Sequence, residues 1–102
     1  MVATIDERAM ISADTQQVSS ILPDGDVAIM SLKNGVYYGL NPVGSRVWAL
    51  IQKPVQVMDL INVLMSEYDV DRQQCAHDVN NLLSDLLENG LLTVEPVNQV
   101  AV

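Results

Sequence analysis

Cys75, His77 and Asp78 fall within one four-residue stretch and are the residue types of a nucleophile, a general base and a carboxylate. Brought together in space, such a trio would point to covalent acyl chemistry. Their spacing argues otherwise. On a helix, residues two apart point roughly 200° away from each other, so the Cys75 thiol and the His77 ring diverge. Cys75 falls instead on an apolar stripe continued by Val79, Leu82, Leu83 and Leu86, where cysteine acts as a small hydrophobe. A metal site fares no better. His77 is the only histidine, the acids Asp78, Asp85 and Glu88 read as a solvated face, and no metal-ligand spacing occurs. The sequence assigns no catalytic residue, no metal and no cofactor.

What remains is backbone chemistry. Val36 to Leu40 reads as a strand with neither proline nor charge, so it lacks the devices that keep a sheet edge from pairing. Gly39 sits inside it, and a glycine within a strand often marks the close approach of another backbone. An edge of this kind beside an apolar helix would take an extended peptide through main-chain hydrogen bonds. The other possibility is that a loop or the N-terminal segment covers the edge, and residue types favour neither.

The elements that must position this edge follow from periodicity. From Thr15 to Leu40 the pattern alternates with period two. Residues 15–22 form a first strand, Val27 to Leu32 a second and Val36 to Leu40 a third. Pro23-Asp24-Gly25-Asp26 is turn chemistry, and Asn34-Gly35 is the pair favoured by a two-residue type I′ hairpin, whose central residues both need positive φ. At Asn41-Pro42 the period becomes helical, with Asn41 as cap and Pro42 at the first position. Val43, Val47, Leu50 and Ile51 make this helix's face; Trp48 beside them reads first as a core residue and second as a partner anchor. A second helix carries Val57, Leu60, Ile61, Leu64, Met65 and Tyr68 but starts poorly, because Gln56 is a weak cap. The third begins at Asp71 with Gln74 in the capping-box position, and Gly90 ends it. Leu91 to Val94 then return as a short extended segment. The expected fold class is α+β and winged-helix-like: a three-stranded antiparallel meander followed by three α-helices. That domain spans residues 15–95, with residues 1–14 a loose lead-in and residues 96–102 a frayed tail.

Composition narrows the partners. The chain has 102 residues, enough for one domain, and a formal net charge of −8. A field of that sign repels nucleic-acid phosphates and anionic lipid. Between Asp69 and Gly90 five acids face one arginine, so the third helix is ill suited to the major groove. Neither a targeting signal nor a run of about 20 apolar residues occurs, which makes a cytoplasmic protein the expectation.

The run Gly35-Val36-Tyr37-Tyr38-Gly39-Leu40-Asn41-Pro42, followed by Gly44, Val47-Trp48 and Leu50, resembles the PqqD-like family, the recognition elements of ribosomally synthesised and post-translationally modified peptides (RiPPs). The similarity continues through Leu60, Leu64, Tyr68-Asp69-Val70-Asp71, Asp78-Val79, Leu82-Leu83, Leu86 and Gly90-Leu91-Leu92, and covers about residues 15 to 95. Its specific part is the Tyr-x-Leu-Asn-Pro-x-Gly-x-x-x-Trp pattern. The chain closely resembles the family's stand-alone leader-binding proteins of lasso-peptide biosynthesis. It departs from the pattern at Gln56, where the family has Ser or Thr, and in a loosely matching first strand. The resemblance implies that a precursor's leader peptide adds as a strand to the third strand, in the groove between it and the third helix. Gly35, Val36, Tyr37, Tyr38, Gly39, Leu40, Val79, Leu82, Leu83 and Leu86 would then form the binding site. It further implies a non-catalytic adaptor that presents the precursor to a separate leader peptidase and a cyclase, with no nucleic acid or membrane involved. The alternative is an acidic winged-helix domain for protein interaction or DNA-associated regulation.

Overall fold

The structure, a computed structural model, describes residues 5–95. The frayed tail expected over 96–102 lies outside the described residues. In chain order the elements are β1 (Met10–Ala13), β2 (Gln17–Ile21), β3 (Val27–Ser31), β4 (Tyr37–Leu40), α1 (Pro42–Leu50), β5 (Val55–Gln56), α2 (Val57–Glu67), α3 (Arg72–Glu88) and β6 (Leu92–Glu95). This is an α+β fold with two antiparallel sheets and three helices.

The period-two segment forms the meander β2-β3-β4 with the register Ser19↔Ile29↔Tyr38. Its second turn differs from expectation. Of that pair only Gly35 takes a positive φ, 70°, and among the described residues none but glycines does, so the type I′ pair is not formed. The loop is longer, closed by the Ser31 N–H on the Val36 carbonyl at 3.0 Å and the Gly35 N–H on the Ser31 carbonyl at 2.8 Å. Asn34 keeps ordinary backbone because its side chain has another use: Oδ1 accepts from the Val36 N–H at 3.0 Å.

Helix ends follow their chemistry. Asn41 Oδ1 accepts from the Gly44 N–H at 2.7 Å, and Asp71 Oδ1 from the Gln74 N–H at 2.8 Å. The Gln74 side chain donates onward to Asp78 at 2.9 Å. Gly90, at φ 71°, completes a Schellman motif with the Leu91 N–H on the Leu86 carbonyl and the Gly90 N–H on the Leu87 carbonyl. The weak start of α2 is resolved by chain that precedes β1. The Val57 N–H donates to the Ala9 carbonyl at 3.1 Å and the Met58 N–H to the Glu7 carbonyl at 2.8 Å. Two amides that a side chain would otherwise cap are thereby satisfied by distant backbone.

Residues 5–14 correct the expectation of a loose lead-in. β1 is the central strand of a second sheet, β5-β1-β6, with Met10 opposite Gln56 on one side and Ser12 opposite Thr93 on the other. Ile11 is buried in the core with Ile51, Leu60 and Leu91. Each such side chain contributes roughly 1.5–3 kcal/mol by leaving water. α1 turns Gly44, Val47 and Trp48 inward and its C-cap Ile51 is buried too, while Val43, expected on that face, is exposed. Among the described residues no helix is long and apolar enough to cross a membrane.

Candidate functional site

Among the described residues β4 is paired on one side only. Antiparallel strands alternate residues whose peptide groups face the partner with residues whose peptide groups face away. The Ser31–Val36 bond and the pairs Ile29↔Tyr38 and Val27↔Leu40 set the parity. Val36, Tyr38 and Leu40 turn their peptide groups toward β3; Tyr37 and Gly39 turn theirs toward the open side. The edge therefore offers two N–H and two C=O groups that the sheet does not use. β1 cannot cover them, since it lies between β5 and β6. A Cβ on Gly39 would meet no atom within 4 Å, so nothing inside the chain requires glycine there.

α3 forms the facing wall and runs antiparallel to β4. At one end the Tyr38 phenol meets Asp85. Burial, then the Asp85 charge, then its hydrogen bond with the carboxylate hold the phenol above its ordinary pKa. At the other end Asn41, Val43 and Gly44 border an open cleft of about 430 Å³, whose far side is Cys75, Asp78, Val79, Asn81 and Leu82 of α3; Leu64, Tyr68 and Val70 close it. Just beyond the end of β4 there is thus a mainly apolar hollow bordered by one carboxylate, Asp78. Inside it the Cys75 thiol is pushed above its usual pKa by burial and then by the Asp78 charge, against a smaller opposite effect of Arg72. It stays protonated and a poor nucleophile at neutral pH. His77 lines a different cleft, with Ile5, Glu7 and Val57 among its neighbours, and its Nε2 lies 3.2 Å from Asn81 Nδ2. The described residues hold no group of three or more His, Cys, Asp or Glu able to bind a metal ion.

The structure separates the residues that sequence reasoning grouped on the third strand and third helix. Gly35 and Val36 belong to the loop before β4, not to the strand. Leu40 is buried and bonded inward. Tyr37, 72% exposed, and Gly39 supply the open edge, with Tyr38 aimed at α3. Val79 and Leu82 line the cleft, whereas Leu83 and Leu86 are both 0% exposed and sit in the core. The cleft residues Val43, Tyr68, Val70 and Asn81 were missed. Val43 and Tyr68 lie at the margins of their helices' apolar stripes, and that marginal position was the available signal. Asp78 and Asp85, read as generic solvated acids, turn out to border the groove.

The chain matches the family described as "Coenzyme PQQ synthesis protein D (PqqD)" over residues 26–92. None of the curated proteins matches it. Among solved structures it is similar to TbiB1 in complex with the TbiA(beta) leader peptide, with 28% identity and a TM-score of 0.73, over 86% of this chain and 99% of that one. A lasso peptide synthetase B1 complexed with the leader peptide gives 22% identity and a TM-score of 0.71, covering 81% and 96%. The solution NMR structure of the PqqD truncation of Methylobacterium extorquens PqqCD, a stand-alone RiPP recognition element, gives 14% and 0.68, covering 82% and 88%. The last two share the fold.

Proposed function

This chain belongs to the PqqD family, and from that premise we propose that it is a non-catalytic, cytoplasmic adaptor that binds the leader of a ribosomally made precursor peptide. The leader adds to β4 as a further strand and lays apolar side chains against Val79 and Leu82 in the cleft. The observation that carries this reading is the unused edge at Tyr37 and Gly39, opening beside α3 in a chain 28% identical to a protein solved with a leader peptide. Four edge hydrogen bonds contribute about 0.5–1.5 kcal/mol each, so apolar anchors must add to them for micromolar binding. Gripping only the leader leaves the rest of the precursor free, and tethering raises its concentration at a separate peptidase or cyclase. Lasso-peptide biosynthesis is the pathway this reading favours.

Gly39→Pro tests it. Proline removes the N–H that faces the open side while sparing every bond to β3. With a precursor leader peptide that the wild type binds, fluorescence polarisation should show binding weakened at least about tenfold at an unchanged melting temperature. Equal binding by Gly39→Pro overturns strand addition. If the variant unfolds, leaders N-methylated one position at a time put the same question to the wild type: alternate positions should fail, and uniform tolerance refutes the model. In a reconstituted cleavage assay, equal processing with and without the protein would remove the presenting role.

A further inference from the structure

Resting on the leader-binding reading, we propose that Asp78 and Asp85 select the leader's charge and register: the bound strand carries two basic residues four positions apart, straddling an apolar one. The two carboxylates stand seven residues apart on α3, about 10.5 Å at 1.5 Å per residue. Asp85 meets Tyr38 of β4, and Asp78 shares the cleft with Asn41 just beyond β4's end. Tyr38 to Asn41 covers about 10 Å of extended chain, so strand and helix keep step between these two points. Leu82 lies between the carboxylates on the same helix flank and lines the cleft.

A peptide strand added to β4 shows alternate side chains to α3, roughly 6.8 Å apart. Its positions i and i+4 lie about 13.6 Å apart, so two long side chains that lean inward by about 1.5 Å each reach Asp85 and Asp78 in either order, with i+2 over Leu82. Lysine or arginine reaches the two outer carboxylates, and an aliphatic or aromatic residue fits between. Two cations stand near the cleft, Arg72 by Cys75 and Arg46 by Tyr68. Both are committed to other acids: the four ion pairs among the described residues are Arg8–Asp6, Lys33–Asp14, Arg46–Glu67 and Arg72–Glu7, and none includes Asp78 or Asp85. Asp78 accepts from the uncharged Gln74, and Asp85 contacts the Tyr38 phenol. With a net charge of −8 the whole molecule also steers a cationic peptide inward.

Selection of random 20-residue peptides by display, on wild type and on Asp78→Asn/Asp85→Asn in parallel, tests this. Wild-type binders that compete for the groove should be enriched in Lys or Arg at i and i+4 around an apolar i+2. The double variant should lose that enrichment, bind the wild-type-selected peptides about tenfold more weakly, and show a shallower dependence on salt. Groove binders without basic enrichment, or the same enrichment on both proteins, overturn the charge assignment while leaving leader binding intact. Recovery of no peptide whose binding is lost in Gly39→Pro overturns the leader-binding reading, and this inference with it.

Discussion

The two sheets are built from similar strand lengths and do opposite things. The β5-β1-β6 sheet joins three segments distant in sequence, buries Ile11 and Leu92, and has none of the exposed large hydrophobics found among the described residues. The backbone just before β1 also caps α2. The β2-β3-β4 meander is local in sequence, exposes Val18, Ile21 and Tyr37, and ends on an edge of unused peptide groups. One sheet ties α2 and α3 to the N-terminal strand; the other packs one face on the core through Ile29 and Leu40 and displays the opposite face and its edge. Stability and recognition are therefore separable in this fold, and mutations should divide along the same line.

The largest effect is expected from removing residues 1–14. Deletion strips the central strand and two helix-capping carbonyls, against a total stability of only about 5–15 kcal/mol for a domain of this size. The truncated chain should show no cooperative thermal transition by circular dichroism. A chain that still melts cooperatively would mean that the β1 sheet is not the structural one.

Next in size is a pair of neighbours on α3. Leu83→Ala should destabilise by about 3 kcal/mol through cavity formation, yet the folded fraction should bind leader as wild type does. Leu82→Ala, half-buried at the cleft, should cost about 1 kcal/mol or less and weaken leader binding about tenfold. Denaturant unfolding and polarisation titration on both variants check this. Reversed outcomes would exchange the two residues' roles.

That pair also shows what could be read in advance. The meander, the caps at Asn41 and Asp71 and the Gly90 stop were legible because each depends on neighbours a few residues away. The apolar stripe of α3 was equally clear, but periodicity gives a stripe's width and not what lies against each flank. Leu82 and Leu83 are adjacent in sequence and only the three-dimensional packing separates them. β1 was illegible for the same physical reason. Its four residues carry no strong pattern, and its partners sit at residues 55–56 and 92–95. The start of α2 likewise borrows carbonyls from Glu7 and Ala9, which no local rule anticipates.

The smallest effect belongs to Cys75, where the two roles meet: its thiol is buried among core residues yet borders the cleft between α1 and α3. Burial raises its pKa in the folded state, so folding favours the protonated thiol. The stability this contributes is fully present below the unfolded chain's thiol value, about 8.5, and is lost as pH rises through the higher folded value. Denaturant midpoints measured from pH 7 to 10 should therefore fall for wild type, and fall less steeply for Cys75→Ala, which begins lower because a small cavity is left. Tyr38, raised in the same direction, adds its own loss at higher pH and keeps the variant's curve from becoming flat. The same thiol reports on the groove. At pH 8 its alkylation should be slow compared with an exposed cysteine, and slower again when leader fills the cleft. Parallel pH slopes for the two proteins would show that Cys75 ionisation is uncoupled from folding. Alkylation unaffected by bound leader would place the leader's anchor along β4 alone, away from the cleft, and so sharpen the division between the sheet that holds the fold and the one that meets the peptide.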